Sequence, residues 1–126
     1  MKIKTYNLKD MALDYAVALA KGWQDYKEND FGFSWHVDNG SAWLSLFAFQ
    51  PGKMWEVSGP IIEREEIEIK KGNPLYFPTG NEKGDHFEPL WLSGTVNGPT
   101  PLVAAMREFV LRKLGPEVEV PDSLVR

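Results

Sequence analysis

Cysteine is absent from these 126 residues. Its absence excludes disulfides, thiolate catalysis and zinc sites built on sulfur. Long apolar runs are absent too, and none approaches the ~20 residues that a membrane-spanning helix needs. The start, Met1-Lys2-Ile3-Lys4-Thr5, has no apolar stretch behind it and does not read as a signal peptide. Cytosolic residence is the expectation. Clusters of Lys and Arg are missing and the net charge is -4, a poor endowment for binding nucleic acid generically. Histidine is scarce. Asp85-His86 is the nearest thing to a metal-ligand pair, and without further His or Cys beside it no metal site is expected. There is no GxSxG elbow, Walker loop or HExxH helix. No internal repeat or low-complexity tract stands out.

What is present is enough for one compact domain. Hydrophobic residues make up 43% of the chain, enough for a substantial core and too many for intrinsic disorder. Aromatics reach 13%, with five Trp, which means a bulky core or an aromatic-lined surface. Leu8, Met11, Ala12, Tyr15, Ala16 and Leu19 recur at helical spacing. They predict a helix over residues 8–21, with Asn7 as N-cap, Asp10 at N3 and Gly22 as the stop. Asp10, Asp14 and Lys21 fall on its opposite, wet face. Residues 23–32 read as a loop.

Asp38-Asn39-Gly40-Ser41 reads as a tight hairpin turn. With Asn39 and Gly40 at its tip, Trp35 faces Leu44, Phe33 faces Leu46 and Val37 faces Ala42 on a dry side. His36 then faces Trp43 on a mixed aromatic and polar side. Gln50-Pro51-Gly52-Lys53 is a second turn. Glu66-Ile67-Glu68-Ile69-Lys70 alternates as a strand. The mixed charges from Glu63 to Lys71 suit its solvated edge. Lys71 to Glu88 reads as a long loop, and Leu90 to Val96 as a further strand.

Two Gly-Pro elbows punctuate the chain, Gly59-Pro60 and Gly98-Pro99. The first is read as leading into the strand that begins at Glu66. After the second, Thr100 caps a helix with Pro101 at N1. Leu102, Val103, Met106, Phe109, Val110 and Leu114 form its apolar stripe. Arg107 lies at the border of that stripe, where its guanidinium could reach into a cleft. Glu108 and Arg112 pair on the wet side, and Gly115-Pro116 ends the helix. The tail from Glu117 to Arg126 reads as extended and loosely packed.

Gly59-Pro60-Ile61-Ile62-Glu63-Arg64-Glu65 and Gly98-Pro99-Thr100-Pro101-Leu102-Val103-Ala104-Ala105-Met106-Arg107 resemble the phage NinX-like family. Lys113-Leu114-Gly115 with Glu117-Val118-Glu119-Val120-Pro121, and Ala12 to Ala18 near the start, extend the resemblance. It departs from the family pattern just before the first elbow, where this chain has Phe49-Gln50-Pro51-Gly52-Lys53-Met54-Trp55. The resemblance implies a small accessory protein of tailed phages and prophages, acting in the cytoplasm of the bacterial host.

The expected fold is a single α+β domain, a small and mainly antiparallel sheet with an N-terminal and a C-terminal helix on one face. The leading functional expectation is a non-enzymatic binder of a small anionic ligand, a nucleotide signal of host defence being the candidate. Arg64 and Arg107 would grip the anion while Trp55 or Trp43 stacks on its ring, with Glu63 and His36 nearby. The competing account makes the arginines internal salt-bridge partners of Glu63 and Glu65, and His36 a structural residue. A protein–protein module that inhibits a host factor is the alternative. A small hydrolase using Glu63 and Glu65 as acid and base ranks below both. No cofactor is expected, and a homo-oligomer is a candidate assembly.

Overall fold

The computed structural model describes residues 1–29, 32–37, 40–45, 49–72, 86–89 and 97–125. Among them are three α-helices: α1 (Asp10–Ala20), α2 (Trp55–Glu65) and α3 (Pro101–Leu114). The strands are β1 (Lys2–Lys4), β2 (Gln24–Asn29), β3 (Gly32–Val37), β4 (Gly40–Ser45), β5 (Ile69–Gly72), β6 (His86–Pro89) and β7 (Glu117–Glu119). They form three short sheets, β1-β7, β2-β3-β4 and β5-β6, and every pairing is antiparallel. The fold is α+β, with the strands divided among several small sheets and a helix between the two that were expected.

α3 is the centre. Leu102 and every residue from Ala104 to Val110 are buried in it, because α1, α2, β5, β6 and β7 all pack around it. Its start follows from sequence: the Val103 N–H donates to Thr100 Oγ1 at 3.2 Å, with Pro101 at the first position. Gly98 is needed beneath that first turn. A Cβ there would stand 2.8 Å from the Ala104 nitrogen and 2.9 Å from Val103 Cγ1.

α1 begins two residues later than its apolar spacing suggests. Asn7 belongs to a short 3-10 turn (Thr5–Asn7) and does not cap the helix. Lys9 occupies the cap position with no side-chain hydrogen bond, and Asp10 takes a left-handed φ of 51°. The other end is as read. Gly22, at φ 90°, closes a Schellman motif in which the Trp23 N–H donates to the Ala18 carbonyl.

The first elbow is not an elbow. Gly59 and Pro60 lie inside α2. Pro60 is too far in for its missing N–H to be harmless, so the carbonyl of Glu56 receives no helical hydrogen bond from it. Packing outweighs that loss. Ile61 and Ser58 are buried, and Ser58 Oγ donates to the Met54 carbonyl. The C-terminus closes on a second Schellman motif, with Glu66 left-handed at φ 54° and the Ile67 N–H donating to the Ile62 carbonyl. Arg112 of α3 donates to the Glu65 carbonyl at 2.8 Å, and Lys113 pairs with the Glu65 carboxylate at 3.2 Å. Both cations suit the negative end of α2.

Four other expectations change. Residues 24–29 are strand β2, with a register break between Gln24 and Lys27 where Asp25 takes φ 57°. That bulge erases the alternation that would have marked a strand. The hairpin pairs Trp35 with Ala42 and His36 with Ser41, and it closes at Val37↔Gly40. This register slides by two residues from the expected one, so positions 34, 36, 41 and 43 still share one face. Asp38 and Asn39 lie outside the described residues. The tail packs firmly, since β7 pairs with β1, Lys4 pairs with Glu117, and Val118, Val120 and Leu124 are buried. Alternation of Glu117, Val118, Glu119 and Val120 is the reason. The strand expected over residues 66–70 begins only at Ile69, and as β5 it pairs with β6 across the two ends of the expected long loop. Residues 73–85 and the expected strand over 90–96 lie outside the described residues.

Candidate functional site

The two predicted arginines lie in different surroundings. Arg107 is 1% exposed. Its Nε donates to the Leu8 carbonyl at 2.8 Å and its guanidinium to the Asn97 carbonyl at 2.7 Å. It braces the chain on either side of α3 and is not placed at a cleft. Arg64 stands on the outer face of α2 with its side chain 59% exposed, beside Glu65 at 3.3 Å. The two arginines therefore occupy different environments. Among the described residues Arg64 pairs with Glu65, as the salt-bridge account expects for that arginine.

Trp55, Glu63 and Arg64 are each exposed on α2, with Trp55 60% exposed at its start. His36 is exposed on β3, and the side chain of Trp43 lies outside the described residues. Glu63 and Glu65 are separated by roughly 200° around a helix. A shared-face acid and base pair, which needs a strand, is lost with the strand. The Glu108–Arg112 pair forms at 2.6 Å, but Glu108 is buried rather than wet. Among the described residues no cluster of metal-ligating side chains forms.

Among the described residues a concave surface opens around the start of α1. A groove of about 460 Å³ runs there, lined by Ile3, Asn7, Lys9, Asp10, Met11, Gln50 and Lys53 among others. Its floor is the first turn of α1, whose leading N–H groups receive no side-chain cap. Lys9 and Lys53 are exposed, and Lys53 Nζ stands 3.5 Å from the Asp10 carboxylate. Met11 and Leu124 line this groove and also a smaller cavity of about 10 Å³, room for roughly one water.

That cavity holds the least expected side chain. Asp14 sits in its wall with Tyr15, Tyr26, Trp35 and Phe49. Burial drives its carboxyl up to about 7, partly opposed by a hydrogen bond from the Gly52 backbone and by Lys53. Aromatic rings form much of the same wall. Tyr15, Tyr26 and Trp35 lie 4.9 to 5.3 Å apart by centroid, with Trp35 only 1% exposed. Burial also raises the Tyr26 phenol, whose hydroxyl donates to Glu28 at 2.8 Å.

Sequence reasoning placed Asp14 on the wet face of α1, because nothing local marks it. The segment that covers it, Phe49 to Gly52, arrives from a distant part of the chain.

No curated protein matches the chain. The family described as "Bacteriophage P22, NinX" matches residues 4–113, which take in α1, α2 and nearly all of α3. The chain belongs to the phage NinX family.

Proposed function

We propose that this phage accessory protein binds a small anionic ligand without transforming it, in the groove at the start of α1. The groove itself carries the reading. Its volume of about 460 Å³ lies in the range of small-molecule sites, and it opens over uncapped helix N–H groups with Lys9 and Lys53 beside them. An anionic group would lie against those N–H groups and the two ammonium groups. The apolar wall of Ile3, Met11, Leu124 and Val125 suits a ring or other apolar body. Asp10 in the same groove disfavours a heavily charged anion, so a mononucleotide fits better than a triphosphate. Sequestration of a nucleotide signal of host defence is the role such a binder would serve in a phage.

Isothermal titration with mono-, di- and cyclic nucleotides, and with inorganic phosphate, tests the reading. A nucleotide should bind, and Lys9→Glu and Lys53→Glu should each weaken it by about tenfold, in line with the loss of a charge contact. Absence of binding by the whole panel, or binding indifferent to both lysines, sinks the proposal.

Trp55 favours a second reading. A Trp 60% exposed on a helix is a natural anchor for a protein partner, as a module inhibiting a host factor would require. A host protein captured by the wild type and released by Trp55→Ala would support it.

A further inference from the structure

We infer that the outer face of α2 is a self-association surface whose occupant is a second copy of this chain, packed antiparallel across Pro60. Gly59 and Pro60 are the two poorest helix formers, and they stand side by side inside this helix. Among the described residues nothing accounts for the glycine. Its φ is not left-handed, and a Cβ added to it would meet no atom within 4 Å. Gly98, by contrast, is required by α3 at 2.8 Å. A glycine that no intramolecular contact needs leaves a notch for something from outside to approach the backbone.

The surrounding residues specify what approaches. Glu56, Pro60 and Arg64 follow one another at four-residue intervals, so they form a single ridge on the exposed side. Glu56 and Arg64 stand equally far from Pro60 in opposite directions. A two-fold axis through Pro60 therefore sets Glu56 of each copy against Arg64 of the other, which makes the ridge self-complementary in charge. Arg64 is available, since its exposed contact with Glu65 at 3.3 Å is of the weak surface kind. The face is one helix of 11 residues, about 16 Å long, so the dimer forms as concentration rises and is not permanent.

The inference is independent of the ligand reading, because the groove residues lie outside this ridge. Sedimentation equilibrium of the full chain over rising concentration tests it. The wild type should dimerise. Glu56→Arg and Arg64→Glu should each weaken the dimer by about tenfold or more, and the double exchange E56R/R64E should restore it. Gly59→Leu fills the notch. It should abolish the dimer while raising the thermal midpoint of the monomer, since leucine is the better helix former. A monomer at every concentration, a dimer indifferent to the single reversals, or a double exchange that fails to restore association each overturns the inference. A wild-type monomer that captures a host protein through Trp55 counts as the first of these.

Discussion

Arg107 Nε donates to the carbonyl of Leu8 at 2.8 Å, tying the middle of α3 to the segment that introduces α1. Asn97 receives a second bond from the same guanidinium. Truncation would leave two buried carbonyls without these donors and a void in the core. Arg107→Ala should lose about 3 kcal/mol or more of stability in urea unfolding. Arg64→Ala, on an exposed side chain, should stay within about 0.5 kcal/mol. Equal costs for the two would contradict the division between brace and surface.

The two Gly-Pro dipeptides should respond oppositely to alanine. At Gly98 the new Cβ meets backbone at 2.8 Å, so Gly98→Ala should destabilise by about 1–3 kcal/mol. At Gly59 the space is open and the site is helical. Gly59→Ala should therefore stabilise by roughly 0.5–1 kcal/mol, read from thermal unfolding in dilute solution.

Glu66 holds a left-handed backbone at the end of α2 without being glycine. Glu66→Gly should raise stability by about 1 kcal/mol, and Glu66→Val should lower it, since a β-branched residue strains most there. Chemical denaturation of the pair decides it.

Asp14 makes stability depend on pH. Its ordinary value is 3.8 and its folded value about 7. Between the two, the folded chain keeps a proton that the unfolded chain has released. The contribution of this group is therefore full below the unfolded value and is lost as pH rises through about 7. Asp14→Asn should flatten that decline and be more stable than the wild type at pH above the folded value. A wild-type profile parallel to that of the variant would refute the assignment.

How far the sequence could be read depended on where the decisive contacts lie. α3 was legible because its signals are adjacent: Thr100 caps, Pro101 follows and Gly115 ends it, at φ 90°. Gly22 behaved the same way. The hairpin faces were legible because alternation survives a two-residue slide, although the pairing itself did not. α2 was illegible because Gly59-Pro60 reads as a break, and only burial of Ser58 and Ile61 with closure by Arg112 makes the segment helical. Of the expected site, Trp55, Glu63 and Arg64 kept their exposure, while Arg107 left it for the core.

By itself, then, the sequence determined the α+β class, the family, and the ends of the helices that carry their own stop signals. Those depend on residues within a turn or two of one another. Tertiary structure alone decided that the tail pairs with the first strand, that Arg107 is a brace, that Asp14 lines an aromatic-walled cavity, and that the groove opens over α1. Each of these depends on desolvation and hydrogen bonding between segments distant in the chain, as with Arg107 and Leu8, and local pattern contains no record of which distant segment will arrive.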